Sequence, residues 1–533
     1  MSSSVPAASR LRSLLDSRAM ARNPIDVLSK YTALYGDTFR FYLGGMKEAL
    51  VTRDPAVIQH VLKTNAENYQ KSHIQVRRMG HFLGKGLLTT HGEAWRTQRR
   101  LIQKGFDRKQ LEALGSIMQD TLQESLPEFD RQVRLGPVDI HPHLMKMTFA
   151  MVARSLFGAR LKSEDIALVS YSISTVQEFI VRQTIEPYLN PWFAVSGQLR
   201  KHEHMRARAD GVLFEYIRRR RGQPPGHDLL QTLMDARYSD GQGMSDQRLL
   251  GESMQLLVAG HETSSNSLSW LLYLLSTHPD CLRRMRRELD SVLGTAPLGY
   301  AEIAGLEYTI QVIQEGLRLY PLFWMIDRMA MVDDRIGEVA IPRGSMVIVY
   351  VYGAHRADRY WPSPERFDPE RFAREKIKQQ TPFTHLPFGG GPRSCIGANY
   401  AIFQMLMILS VILRRYDPHL EPGQSVAERA MVILRPRQGI QMSFPPQQQT
   451  EPKASPSATG CADGSRIEQE LLMVKSKEAC SEDRLGRGSC RVPKIQKRYH
   501  GDSRLEADLP IAEPGKQICV CCRSCIWRNG PFV

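Results

Sequence analysis

FGGGPRSCIG, residues 388–397, is a glycine-rich loop that brings a cysteine, Cys395, to the start of a long apolar stretch. Glycines allow the backbone to turn tightly and to approach a flat ligand closely. The stretch from Ala398 to Arg414 has helical periodicity, and the N–H groups and positive dipole end of a helix stabilise a thiolate. The segment therefore predicts a reactive cysteine before a buried helix, with a free buried cysteine behind an ordinary turn as the alternative.

Hydrophobic periodicity around this loop predicts a mainly α fold with small peripheral β-sheets. The predicted helices are Val57–Thr64, Trp95–Lys104, Leu111–Leu126, Leu249–Ser276, Pro279–Leu293, Tyr308–Leu319 and Ala398–Arg414. The predicted strands are Thr38–Leu43, Glu48–Thr52, Glu338–Ile341, Met346–Val351 and Met431–Leu434.

Composition and charge exclude some classes of protein. The chain has 533 residues and a formal net charge of +15, but its Lys and Arg residues are spread without a basic arm or a nucleic-acid recognition motif. The apolar stretch from Phe403 to Leu413 is too short to span a bilayer, so we expect no membrane anchor. Only Cys281 and Cys395 precede residue 447, which is typical of a reducing cytoplasm.

The composition changes near Pro445, where a Pro- and Gln-rich stretch begins. We therefore expect one catalytic domain at residues 1–446 and a low-complexity, Cys-rich and disordered extension at 447–533. The cluster of cysteines at 519–525 leaves a zinc or iron–sulfur site open as an alternative, although its spacing does not match the ferredoxin patterns.

The cysteine loop resembles the haem loop of the cytochrome P450 family, Phe-x-x-Gly-x-Arg-x-Cys-x-Gly. Its fixed places are filled by Phe388, Gly391, Arg393, Cys395 and Gly397. The resemblance implies haem b as the cofactor, the Cys395 thiolate as axial iron ligand, Phe388 near the sulfur and Arg393 paired with a propionate. It also implies the family's fold, with haem between a long distal helix and the Cys-bearing proximal helix.

A second family element lies within the predicted helix Leu249–Ser276. Gly260 and Thr263 weaken a helical ladder, which predicts a local groove. The resemblance implies that this helix crosses the distal haem face, with Ala259 and Gly260 beside the cofactor. It also implies that Glu262 and Thr263 form the acid–alcohol pair that guides protons to dioxygen, whereas His261 is expected to be structural.

A third element is the pair Glu315 and Arg318, three residues apart on one helical face. As an isolated pair it indicates a solvated salt bridge. The downstream segment PERFDPERF, residues 364–372, resembles the family segment that completes a buried ionic network, which implies Arg371 as its third member.

The remaining cofactor residues are implied by spacing within the family. Trp95 and Arg99 lie one helical turn apart, and Arg328 lies ten residues after Arg318. The resemblance implies that these side chains bind the two haem propionates, which need cations and donors. A surface arginine is the alternative at each of these positions.

The family's reaction implies a hydrophobic small-molecule substrate, O₂ and electrons from a separate ferredoxin or flavodoxin with its reductase, because no dinucleotide-binding motif is present. The residues that match pocket-lining regions are His73–Leu83, Leu257, Val258, Leu322, Phe323, Trp324 and Met325. Phe323 and Trp324 are expected to restrict the space above the haem. A carboxylate contact from Arg77 and Arg78 favours a fatty acid slightly over a terpenoid or sterol.

Other functions remain open at this point. A haem-based sensor or ligand-binding protein retains the cofactor without turnover, but Glu262 and Thr263 argue against it. A peroxide-using hydroxylase or an isomerase on the same scaffold often lacks that pair.

Overall fold

A computed structural model describes residues 5–72, 76, 79–158, 162–185 and 187–447. The expectations for the Cys-rich extension beyond residue 447 and for Arg77 and Arg78 lie outside the described residues.

Helices dominate the described part of the chain. Their bounds are α1 Arg10–Leu15, α2 Ser17–Arg22, α3 Pro24–Tyr35, α4 Pro55–Gln59, α5 Gly80–Leu83, α6 Gly92–Gln103, α7 Arg108–Leu135, α8 Ile140–Phe157, α9 Ser163–Ile185, α10 Asn190–Val195, α11 Gln198–Arg221, α12 Leu229–Asp235, α13 Asp246–Thr277, α14 Pro279–Leu293, α15 Glu307–Leu319, α16 Val351–Ala354, α17 Arg374–Ile377 and α18 Ala398–Arg415. A π-helical turn, His60–Thr64, continues α4.

The strands within the described ranges are short and lie in four small sheets. Their bounds are β1 Thr38–Leu43, β2 Lys47–Thr52, β3 Tyr69–Gln70, β4 Val138–Asp139, β5 Ile326–Ala330, β6 Asp334–Ile336, β7 Val339–Ile341, β8 Met346–Val349, β9 His419–Leu420, β10 Glu428–Ala430, β11 Leu434–Pro436 and β12 Gln441–Ser443. The largest sheet has the order β1-β2-β8-β5-β3, in which β2 and β8 run parallel and the other neighbours run antiparallel.

The main hydrophobic core surrounds α13, a helix of 32 residues that packs against α8, α15 and α18. Ser245 begins this helix, since its side chain accepts a hydrogen bond from Arg248 N, and the turn at His278–Pro279 ends it. The apolar helix α18 lies in the same core, and Arg414 and Arg415 at its C-terminus complement the helix dipole. This arrangement confirms the mainly α fold with peripheral sheets.

All seven predicted helices are present, although α7 continues to Leu135, nine residues beyond the predicted end at Leu126, and one predicted strand is wrong. Met431–Ile433 form the turn between β10 and β11, where Arg429 pairs with Arg435. The apolar run suggested a buried strand, yet Val432 is 46% exposed because the chain reverses there. The helix α8 was not predicted, because it is apolar on nearly every side and so lacks a clear helical period.

Candidate active site

The cysteine loop is shaped by a close approach between two backbones. Gly391 has φ +67°, and a Cβ atom there would lie 1.8 Å from the carbonyl oxygen of Leu62, in the π-helical turn. No other residue type fits this position without moving the backbone. Cys395 N donates a hydrogen bond to Phe388 O at 2.8 Å, which closes the loop immediately before α18.

The surroundings of the Cys395 thiol favour metal ligation. Burial raises the pKa of Cys395, while a hydrogen bond from Gly397 N–H and the nearby Arg99 guanidinium lower it. The side chain is nevertheless accessible, although Phe388 and Ile396 of the same loop pack against the main core. A bound cation overcomes such a burial penalty, because a coordinating thiol is deprotonated.

Three of the predicted cofactor residues meet beside this loop. The Arg393 guanidinium lies 3.8 Å from the ring centre of Trp95, and its Nη1 donates to Thr90 O at 3.0 Å. Arg99 Nη1 donates to Ser394 O at 2.6 Å, next to the cysteine. Both arginines therefore hold backbone carbonyls and leave further N–H groups for an anion.

Lys71 joins this group of cations and was missed by the sequence analysis. Its Nζ donates to Leu88 O at 2.6 Å. Burial, and then the charges of Arg393 and Arg328, lower the pKa of Lys71 to about 7. Arg328 is 7% exposed and donates to Asp327 O at 2.8 Å. No local spacing in the sequence marks Lys71, because it approaches the others only through the fold.

The cation cluster, which we define as Lys71, Arg99, Arg328 and Arg393, fits the two carboxylates of haem. The charges of these four groups repel one another, and the charge of Asp327 opposes this repulsion at Lys71 and Arg328. A flat dianion with an iron centre would satisfy both the cations and the thiol. The residues present therefore fit haem b.

The distal helix is unbroken across the predicted groove. Thr263 Oγ1 donates to Ala259 O at 2.6 Å, so the hydroxyl competes for a helical carbonyl as expected. The helix nevertheless continues through Gly260, where a Cβ atom would lie 2.9 Å from Val152 of α8. The glycine thus serves close packing of two helices and not a break. Ala259 is exposed in the middle of this largely buried helix, so its surface is free for contact with a ligand.

Glu262 lies among charges from two other elements. Burial raises its pKa, Arg435 lowers it and Glu178 raises it again. Arg435 Nη1 is 4.0 Å from Glu262, and Arg435 Nη2 is 3.9 Å from Glu178. The adjacent His261 is fully buried, and burial lowers its pKa to about 4, so it is neutral. Arg435 was also missed, since it comes from a distant hairpin.

Glu315, Arg318 and Arg371 lie together in a buried ionic network. Arg318 donates to both Glu315 oxygens at 2.6 and 2.8 Å, and both side chains are fully buried. Arg371 Nε lies 3.4 Å from Glu315 Oε1, which also accepts from Asp368 N at 2.9 Å. Arg318 Nη1 donates to the carbonyl of His355.

The His355 side chain links this network to the cysteine loop. Its Nδ1 lies 3.1 Å from Arg318 O, and its Nε2 accepts from Leu386 N at 2.7 Å. Burial holds the pKa of His355 well below its usual value, so the ring is neutral and Nδ1 is the donor. The ring therefore ties α15 to the segment that leads into the loop.

Phe323 and Trp324, which were both expected to restrict the space above the haem, differ in burial and do not line one site together. Trp324 is 5% exposed, packs in the core cluster of the β1–β2 sheet and donates Nε1–H to Met431 O at 2.8 Å. Phe323 is 47% exposed. Adjacent residues in this extended segment point to opposite sides, so only one of them packs inward.

Comparison with known proteins identifies the family. A family model described as Cytochrome P450 matches residues 8–444. Cyclooctatin synthase from Streptomyces melanosporofaciens is 29% identical, covering 78% of this chain and 90% of the relative. Pentalenene oxygenase from Streptomyces avermitilis is 28% identical, covering 78% and 92%. The retinoic acid bound cyanobacterial CYP120A1 structure has a TM-score of 0.72 and 26% identity, covering 83% of this chain and 99% of that chain.

The fold and the site define a haem-thiolate protein with a cysteine loop and a helical distal wall. The chain belongs to the cytochrome P450 family and is a monooxygenase that carries haem b. Within the described residues, every helix is too short or too polar to cross a lipid bilayer.

Proposed function

We propose that haem b binds between α13 and α18 with Cys395 as its axial ligand, and that the enzyme hydroxylates a terpenoid. The observation that carries the proposal is the cation cluster beside an accessible thiol. The proposed propionate partners are Lys71, Arg99, Arg328 and Arg393 together with Trp95. Phe388, Gly391 and Gly397 shape the proximal side, and Ala259 and Gly260 lie on the distal side.

The bound haem supplies dioxygen activation with two electrons, and the chain supplies binding, orientation and protons. Glu262 is the proposed proton donor near the distal face, since burial keeps its pKa raised and Arg435 limits that rise. The Thr263 hydroxyl, held by Ala259 O, is the second polar group there. The ionic network stabilises the proximal side, on which the cysteine loop lies; its members are Glu315, Arg318 and Arg371.

The substrate class is supported by relatives and by one feature of the site. Cyclooctatin synthase and pentalenene oxygenase act on terpenoids. Arg435, the cation beside Glu262, already faces two carboxylates and also donates to Met431 Sδ at 2.9 Å. It is therefore engaged within the protein, and a substrate without a carboxylate suits the surroundings better than a fatty acid.

We also propose that residues 1–446 are the catalytic domain and that electrons come from a separate acidic ferredoxin or flavodoxin. The family match ends at residue 444, which supports the boundary. The net charge of +15 favours an acidic carrier through electrostatic steering.

Carbon monoxide and a ligand panel test this proposal together. The reduced full-length protein with carbon monoxide is expected to show the strongly red-shifted Soret band of a thiolate complex. The panel contains a terpene hydrocarbon, retinoic acid and a straight-chain fatty acid, each scored by the spin-state shift of the ferric haem. A shift with the hydrocarbon supports the terpenoid proposal. A shift with the fatty acid alone would replace the terpenoid proposal with a fatty-acid substrate. A shift with retinoic acid and the fatty acid, but not with the hydrocarbon, would indicate that the site binds a carboxylate.

Glu262→Gln is expected to lower kcat by about 100-fold, because it removes a positioned proton donor. The spin-state shift on substrate binding should be unchanged, since the isosteric amide retains the shape of the site. Glu178→Gln, at the other end of Arg435, serves as the control and should retain most of its activity. An equal loss of substrate binding and turnover in Glu262→Gln would contradict the role in proton delivery.

Lys71 is expected to strengthen haem binding less as the pH rises through 7. The Lys71 pKa of about 7 describes the protein without its carboxylate partners, and binding a propionate raises it. Lys71 would therefore take up a proton on haem binding above pH 7, whereas Cys395, whose pKa is raised by burial, would release one on ligation as a thiolate. Haem titrations of the wild type and of Lys71→Met between about pH 6 and pH 9 isolate the Lys71 contribution, and the ratio of their affinities should fall by up to about tenfold per pH unit above pH 7. Identical pH profiles of the two proteins would exclude Lys71 from the haem site.

A further inference from the structure

The loop of residues 84–90 lies directly on the distal helix α13. A Cβ atom on Gly251 would be 2.8 Å from Lys85 O, and one on Gly86 would be 2.7 Å from the Gln255 side chain. The absence of side chains at Gly86 of the loop and Gly251 of the helix therefore allows the loop backbone to contact α13 directly. Loop and helix are thus positioned as one unit.

Gln255 fixes this loop with its whole amide. Its Oε1 accepts from Leu88 N at 2.7 Å, and its Nε2 lies within hydrogen-bonding distance of Gly84 O and Thr89 Oγ1 at 3.0 and 3.1 Å. The side chain is 2% exposed. Glu252, one turn earlier, accepts from Leu87 N at 3.1 Å and is fully buried. All of these hydrogen bonds except the one to Thr89 Oγ1 are directed at the loop backbone.

The same loop holds two members of the cation cluster. Leu88 O accepts from Lys71 Nζ at 2.6 Å, and Thr90 O accepts from Arg393 Nη1 at 3.0 Å. Leu88 therefore links Gln255, through its N–H, to Lys71, through its carbonyl. A shift of this segment would move both cations away from a bound carboxylate, because their donors are oriented by these carbonyls.

We propose that Gln255 is a positioning residue for the cofactor, acting through the 84–90 loop to hold Lys71 and Arg393 against the haem carboxylates. The inference rests on the proposed placement of haem and extends the site to the distal helix, more than one turn before Ala259. In this arrangement one helix forms the distal wall and also orients the cations that retain the cofactor.

A double-mutant cycle on haem release tests the proposal. The variants are Gln255→Leu, Lys71→Met and their combination, and the measurement is the rate at which ferric haem passes to an excess of apomyoglobin. We expect each single variant to release haem about tenfold faster, since each loses buried hydrogen bonds. The double variant should also be only about tenfold faster, because both changes remove the same link.

Two further variants distinguish a specific effect on the 84–90 loop from a general loss of stability. Gly251→Ala pushes the loop by its backbone while leaving Gln255 and Lys71 in place, and it should accelerate release to a similar extent. Gln404→Leu removes a buried glutamine whose Nε2 donates to Thr148 O on α8, away from the loop, and it should release haem at the wild-type rate. Circular dichroism confirms that each variant is folded.

The outcomes distinguish this inference from the proposed function. Multiplicative acceleration in the double variant, about 100-fold, would mean that Gln255 acts independently of Lys71 and would overturn the inference. The inference would also be overturned if folded Gln255→Leu or Lys71→Met protein released haem at the wild-type rate. It would be overturned equally if Gln404→Leu accelerated haem release as much as Gln255→Leu does. A wild-type protein without the red-shifted carbon monoxide band would instead overturn the placement of haem on Cys395.

Discussion

The Cys395→His protein is expected to lose the red-shifted Soret band of its reduced carbon monoxide complex and to lose monooxygenase activity down to background. The thiolate donates electron density to the iron in a way that a neutral imidazole does not, and this donation favours O–O cleavage. An imidazole-type band at the ordinary position should replace it if haem is retained. Difference spectra and product formation in the same preparations provide the two measurements.

Cys281→Ser is the matched control for this prediction. Cys281 is the other cysteine of the described residues; it lies in α14, where it contacts Tyr308. Its substitution should leave both the band and the activity intact. If Cys395→His retained the wild-type band, the axial ligand would have to come from another residue, and the proposed proximal side would be wrong.

Arg318→Ala and Glu315→Ala are expected to yield little or no holoenzyme. Each change leaves a buried charge without its partner, at a cost of about 3–5 kcal/mol. That cost is comparable to the total stability of many domains. Loss of Arg318 also removes the donor to His355 O, and His355 in turn holds Leu386 near the cysteine loop. The ratio of Soret to protein absorbance after purification measures haem incorporation.

A solvent-exposed pair provides the comparison for the buried network. Arg374 lies 3.0 Å from Glu307, with side chains 61% and 63% exposed. Arg374→Ala should leave haem incorporation unchanged, because exposed ion pairs contribute little to stability. Normal amounts of soluble holoenzyme from both Arg318→Ala and Glu315→Ala would refute the structural role assigned to the network.

The cysteine loop and the long helices could be predicted because their signals are local. FGGGPRSCIG contains its own turn residues and its own cysteine, and α13 and α18 have clear helical periods over many residues. Such segments carry most of the information needed for their own conformation. The fold class and the cofactor followed from them.

Other parts of the site depend on contacts between distant segments and left no local pattern. Lys71 and Gln255 are separated by more than 180 residues, yet both meet at Leu88. His355 likewise meets Arg318 of α15 only in the folded chain. Arg435, on the β10–β11 hairpin, meets Glu262 of α13 in the same way. A single lysine or glutamine in a sequence has no spacing that distinguishes such a contact from a solvent-exposed position.

The contact between Gly391 and Leu62 O has a consequence for protein engineering. The obstacle to a larger residue at position 391 is a main-chain carbonyl, which every amino acid carries, so no substitution at position 62 can compensate for it. Libraries that randomise both positions should therefore recover glycine at 391 with any of several side chains at 62. The two positions are in direct contact yet should show no epistasis, which makes position 391 a poor choice for tuning the iron.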